Sequence, residues 1–133
     1  MIGIDTNVLV RAVIGDDAQL AAHAARFLRA RDETNPAFIN PVVAAEFVWV
    51  LRAAYRMPRH VIVDILRAMI ESAAYAFGER EAVLRAFHDY ESGVGDFTDR
   101  LIAEINDANG CTATVTFDTE AAKIPPFAPM PAR

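Results

Sequence analysis

Two rhythms of apolar residues run along this chain, short β-branched runs and longer stretches at helical spacing, and together they predict strands alternating with helices. Ile2 and Ile4, with Val8 to Val10 beyond, read as a strand buried on both faces, as at the centre of a parallel sheet. Gly15-Asp16-Asp17 reads as a loop and cap, and Ala18 to Arg31 as an alanine-rich helix with Leu20, Ala24, Phe27 and Leu28 on its apolar face. Ala37-Phe38-Ile39 is a second strand. Asn40-Pro41 starts the next helix, with Asn as N-cap and Pro at N1, where its missing N–H costs nothing. That helix runs from Val42 to about Tyr55 and, being apolar on nearly every side, is expected to be largely buried. After Met57-Pro58, Val61 to Ser72 forms another helix, which makes a helical hairpin after the second strand. Ala73 to Phe77 predicts a short edge strand, and Glu79 to Tyr90 an amphipathic helix with His88 and Asp89 on its surface. A helix capped by Asp96 ends near Asn109-Gly110, a β-branched strand covers Thr112 to Phe117, and the proline-rich tail is extended.

The order strand, helix, strand, helices, helix, strand predicts an α/β fold, a parallel sheet flanked by helices with right-handed crossovers. At 133 residues and 53% hydrophobic, the chain is expected to be one domain over residues 1–133. No basic leader precedes the first strand, and Glu46 breaks the longest apolar run, Val42 to Leu51. Neither a signal peptide nor a membrane span is therefore expected, and the cytoplasm is the expected compartment. The lone Cys111 excludes an internal disulfide and reads as a small buried filler.

A net charge of -5 argues against a protein that holds nucleic acid by bulk electrostatics, although it leaves nucleic acid open as a substrate. Every basic residue except Lys123 is arginine, the group suited to bidentate phosphate contacts. Arg52, Arg56 and Arg59, with His60, form the densest basic group, the first two spaced to share a helix face. Such a group is most often a solvated helix end; contact with an RNA backbone is the functional alternative.

The acidic residues carry the chemistry. Asp5 ends a short apolar run, near the carboxyl edge where open sheets bind ligands. There a carboxylate must be protonated, hydrogen-bonded or bound to a cation, and an Asx-turn or helix cap is the simpler of these explanations. Glu46 stands alone in an apolar helix, in its second turn. Asp96 and Asp99 share the first turn of a later helix, where the dipole favours an anion. Asp118 follows the last β-branched strand, or else caps the short helix from Glu120 to Lys123. In a parallel α/β fold all five are expected to converge at strand carboxyl ends. Oxygen ligands without His or Cys suit Mg²⁺ or Mn²⁺, ions that polarise phosphoryl oxygens and activate water, so metal-assisted phosphodiester hydrolysis is the reaction that fits.

These stretches resemble the motifs of PIN-domain ribonucleases, more narrowly the toxins of virulence-associated type II toxin–antitoxin pairs. The resemblance rests on Ile4 to Arg11 (Ile-Asp-Thr-Asn-Val-Leu-Val-Arg), Glu46 ahead of Val50-Leu51, Asp96 to Ala103 (Asp-Phe-Thr-Asp-Arg-Leu-Ile-Ala) and Thr116-Phe117-Asp118, in the family's order. It implies a Mg²⁺ or Mn²⁺ site of Asp5, Glu46, Asp99 and Asp118, with Asp96 as a cap or outer ligand and Asn7 and Thr116 supporting the site by hydrogen bonds. It also implies a homodimer, an antitoxin that blocks the site, and an RNA substrate, commonly a tRNA or rRNA. Two other classes compete with this reading: an aspartyl-phosphate phosphatase using Asp5 as nucleophile, and a non-catalytic α/β protein-binding module whose acids cap helices. Asn7 and the late Lys123 fit the phosphatase poorly.

Overall fold

A computed structural model describes residues 1–133 as an α/β fold in two compact units, Met1–Arg80 and Glu81–Arg133. In the first unit, β1 (Ile2–Gly3), β2 (Ala37–Ile39) and β3 (Tyr75–Phe77) form a parallel sheet in the order β1-β2-β3. Between β1 and β2 run α1 (Thr6–Ile14) and α2 (Ala18–Arg29); between β2 and β3 run α3 (Pro41–Ala53) and α4 (Arg59–Glu71), the expected helical hairpin. Asn40 caps α3 by accepting from the Val43 N–H at 3.0 Å, with Pro41 at the first helical position. Asp17 caps α2 through the Leu20 N–H, and Gly15 closes α1 at φ 68, a left-handed angle that glycine adopts without Cβ strain. The core is apolar side chains from these elements, among them Leu9, Ile39, Phe47, Leu51, Ile62 and Leu66.

The second unit holds all of α5 (Arg80–Glu91) but its first residue, with α6 (Phe97–Ala108), β4 (Thr114–Thr116), a short 3₁₀ turn at Ala121–Lys123 and β5 (Phe127–Pro129), which pairs with β4 in parallel. Ala82, Val83, Ala86, Phe87 and Tyr90 form the buried face of α5, as their spacing predicts, and the Tyr90 and Phe97 rings meet with centroids 6.0 Å apart. Gly110, at φ 86, follows the end of α6.

Several expectations change. Val8 to Val10 lie in α1, not in a strand, because Asp5 caps a helix there; three consecutive apolar residues cannot by themselves separate strand from helix. Strand β1 is an edge of its sheet with both residues exposed, not a doubly covered centre. Helix α3 buries only one side: Val42 and Trp49 are 73% and 54% exposed. It ends at Ala53, so Arg56 falls in the following turn at φ 51 and shares no helix face with Arg52. Cys111 is exposed, past the end of α6 and ahead of β4. The tail is not merely extended, since β5 uses it to complete a ladder with β4.

Candidate active site

Because β1 and β2 are parallel, the helices that follow them, α1 and α3, both start from the carboxyl edge of the sheet, and they pack on each other. Asp5 is the N-cap of α1. Its backbone is extended, and Oδ1 accepts from the Thr6 N–H at 2.8 Å. Glu46 projects from the second turn of α3 and is exposed. Both line one cleft of ≈ 330 Å³, together with Asn7, Arg11, Asp16 and Tyr55. Topology thus brings together two of the acids singled out in the sequence, and it places Asn7 at the same opening.

In the second unit Asp96 caps α6, its Oδ1 accepting from the Thr98 N–H at 2.9 Å, and Asp99 lies in the first turn, where the helix dipole favours negative charge. Asp118 follows β4. Its Oδ1 accepts from the N–H groups of Glu120 and Ala121 at 2.9 and 3.0 Å, while its own N–H donates to Thr116 Oγ1 at 3.0 Å. Thr116 therefore fixes the turn that aims Asp118. Asp96, Asp99, Asp118 and Glu120 line a cleft of ≈ 430 Å³. Beside them Arg100 is buried, with Nε on Asp89 Oδ2 at 3.0 Å, Nη2 on Glu104 Oε1 at 3.6 Å and on the Pro125 carbonyl at 2.8 Å. Asp89 is thus not a plain surface residue; it is an ion-pair partner of the guanidinium that follows Asp99.

The donors fit a divalent cation of the Mg²⁺ type by chemistry. They are carboxylate oxygens, and the backbone N–H groups that hold Asp5 and Asp118 occupy Oδ1 and leave Oδ2 for a ligand. Accepting backbone hydrogen bonds and binding a metal are therefore compatible roles for the same side chain. Within neither unit do three His, Cys, Asp or Glu side chains form a ready-made ion site. Mg²⁺ is commonly held by one or two carboxylates, with water and substrate phosphate completing its shell, which a cleft with two acids can supply.

Arg52, Arg56 and Arg59 are exposed around the turn between α3 and α4, and none lines the Asp5–Glu46 cleft. The cation that does is Arg11, paired with Asp16 at 3.2 Å, and Asp16 Oδ2 also accepts from the Tyr55 hydroxyl at 3.4 Å. Sequence reasoning read Arg11 as the end of the Ile4–Arg11 motif, Asp16 as part of a loop and cap and Tyr55 as a helix end, and assigned none of the three to the site. The available signal was spacing: Arg11 lies four residues after Asn7, on the same face of a helix, but that inference needs α1 to be recognised as a helix.

The structure is thus a parallel α/β fold with acidic clefts at the starts of its helices. The chain matches the PIN domain family over residues 2–125, and it belongs to that family. PIN domains are typically metal-dependent nucleases, so nuclease chemistry on a nucleic-acid substrate is the activity the family supports. No match is found among curated proteins or solved structures. No helix is long and apolar enough to cross a membrane.

Proposed function

We propose that this chain is a Mg²⁺- or Mn²⁺-dependent endoribonuclease, the toxin of a type II toxin–antitoxin pair acting in the cytoplasm. The observation that carries the reading is the pairing of Asp5 with Glu46 in one cleft at the carboxyl edge of a parallel sheet. Asp5, Glu46, Asp99 and Asp118 are the metal ligands in this proposal, with Asp96 as cap and outer partner and Asn7 and Thr116 as supports. The bound ion supplies Lewis acidity towards a phosphoryl oxygen and lowers the pKa of water. The chain's own part is orientation: backbone N–H groups hold Asp5 and Asp118 by one oxygen each, so the other oxygen keeps a fixed direction.

The substrate is RNA, a tRNA or rRNA in this reading, and the partners are a cognate antitoxin and a second copy of the chain. Arg52, Arg56 and Arg59, around one exposed turn, contact the RNA backbone away from the acids. The test incubates purified protein with total RNA and Mn²⁺, with and without chelator, beside Asp5→Asn. Internal cleavage that requires metal and Asp5 is the expected result. Cleavage that survives chelator, or that Asp5→Asn retains, overturns it.

A further inference from the structure

We infer that Arg11 and Tyr55 form a binding subsite for single-stranded RNA in the Asp5–Glu46 cleft, Arg11 taking a backbone phosphate and Tyr55 stacking on a base. This rests on the ribonuclease reading and adds to it the residues that hold the strand beside the acids. Arg11 is the only cationic side chain lining the cleft. From Asp5 to Arg11 the helix rises roughly 9 Å at 1.5 Å per residue, so the two residues leave the backbone on different turns, and both line the cleft. Tyr55 follows α3, beyond its C-cap Ala54, and its side chain is in the same cleft.

Stability explains neither residue. The Arg11–Asp16 pair is 42% and 50% exposed, a setting in which ion pairs contribute little. Tyr55 is 42% exposed, outside the core, with its hydroxyl directed at Asp16. Asp16 thus holds a cation and a ring in one cleft from a third segment, the loop between α1 and α2. Asp16 engages only Nη1 of Arg11, which leaves Nε and Nη2 as donors for a phosphate. An aromatic face beside a phosphate donor is the usual arrangement for single strands, and it tolerates any base because every base has a π-face.

The test titrates fluorescein-labelled random-sequence single-stranded RNA with the full chain in Mg²⁺, over a series of KCl concentrations, and reads anisotropy, with cleavage of total RNA in Mn²⁺ followed in parallel. Arg11→Gln is expected to weaken binding about tenfold and to reduce the slope of log affinity against log salt by about 0.7, the value for one phosphate contact on a single strand. Tyr55→Ala is expected to weaken binding about tenfold with the slope unchanged, and Tyr55→Phe to keep the parent affinity, since the ring remains. All three variants are expected to melt with the parent. If the parent binds and cleaves RNA while Arg11→Gln and Tyr55→Ala behave like it, the subsite is wrong and the nuclease reading stands. Equal loss in Tyr55→Phe and Tyr55→Ala overturns stacking. A parent that neither binds nor cleaves RNA overturns both.

Discussion

Arg100 donates from Nε to Asp89 Oδ2 at 3.0 Å, tying the first turns of α6, which carry Asp99, to the last turn of α5. The Arg100 side chain is 4% exposed and Asp89 30%. Removing one partner of a fully buried pair typically costs about 3–5 kcal/mol, because the other charge is left without compensation. Here Asp89 is part-exposed, and Glu104 and two carbonyls still face the guanidinium. Asp89→Ala is therefore expected to destabilise the protein by about 2 kcal/mol. Urea unfolding measures this, and a loss below about 0.5 kcal/mol would show that Glu104 and the two carbonyls suffice.

Two glycines ahead of α6 separate backbone strain from crowding. Gly93 and Gly95 both have positive φ, 81 and 75, but an added Cβ meets nothing within 4 Å at Gly93, whereas at Gly95 it would lie 2.9 Å from Arg100 Cδ. Gly93→Ala is expected to cost about 1 kcal/mol from the left-handed backbone alone. Gly95→Ala should cost about 2 kcal/mol or more, because Arg100 is held by Asp89 and by carbonyls and cannot easily withdraw. Thermal melts of the two variants give the difference, and equal losses would mean that Arg100 yields.

The loop ahead of β2 supplies a pH-dependent contribution. Thr34 Oγ1 donates to Asp32 Oδ1 at 2.7 Å, and the N–H groups of Asn35 and Thr34 donate to the same oxygen. These bonds favour the carboxylate and hold its pKa below the usual 3.8, the Thr34 hydroxyl having the largest effect. The folded pKa is depressed, so the unfolded chain takes up the proton first as pH falls. The contribution is therefore complete above 3.8, declines below it, and is gone below the folded pKa. Asp32→Asn is expected to lose this acid dependence, so the stability gap between parent and variant should narrow below pH 3.8. Urea melts across that range check it, and a constant gap would remove Asp32 from the account.

Legibility from sequence followed the local chemistry. Asn40-Pro41 marked the start of α3, and Ala82, Val83, Ala86, Phe87 and Tyr90 marked the buried face of α5, because caps and helical periodicity are encoded in neighbouring residues. Errors came where a distant partner decides. Asp89 looked like surface until Arg100 was placed against it. Phe127–Pro129 became a strand only because β4 offers a ladder. The acids were legible as candidates since Asp5, Asp96, Asp99 and Asp118 lie at helix starts or a strand end and Glu46 stands alone in an apolar helix, while Arg11 and Tyr55 gained meaning only through Asp16, which contacts both.

Asp5 separates its two roles by choice of substitution. Asparagine keeps an oxygen that can accept from the Thr6 N–H, and it is as good an N-cap as aspartate, so Asp5→Asn is expected to unfold within about 0.5 kcal/mol of the parent without metal. Asp5→Ala loses the cap and is expected to cost about 1 kcal/mol more. Both variants are expected to lose RNA cleavage, because neither supplies an anionic oxygen beside Glu46. Mn²⁺ should raise the melting temperature of the parent in proportion to the logarithm of its concentration and that of the two variants far less, since only an ion bound to the folded state stabilises by mass action. Melts of the three proteins with chelator and across a Mn²⁺ series read both effects. An equal metal response in parent and Asp5→Asn would remove Asp5 from the ligand set and leave it as a helix cap.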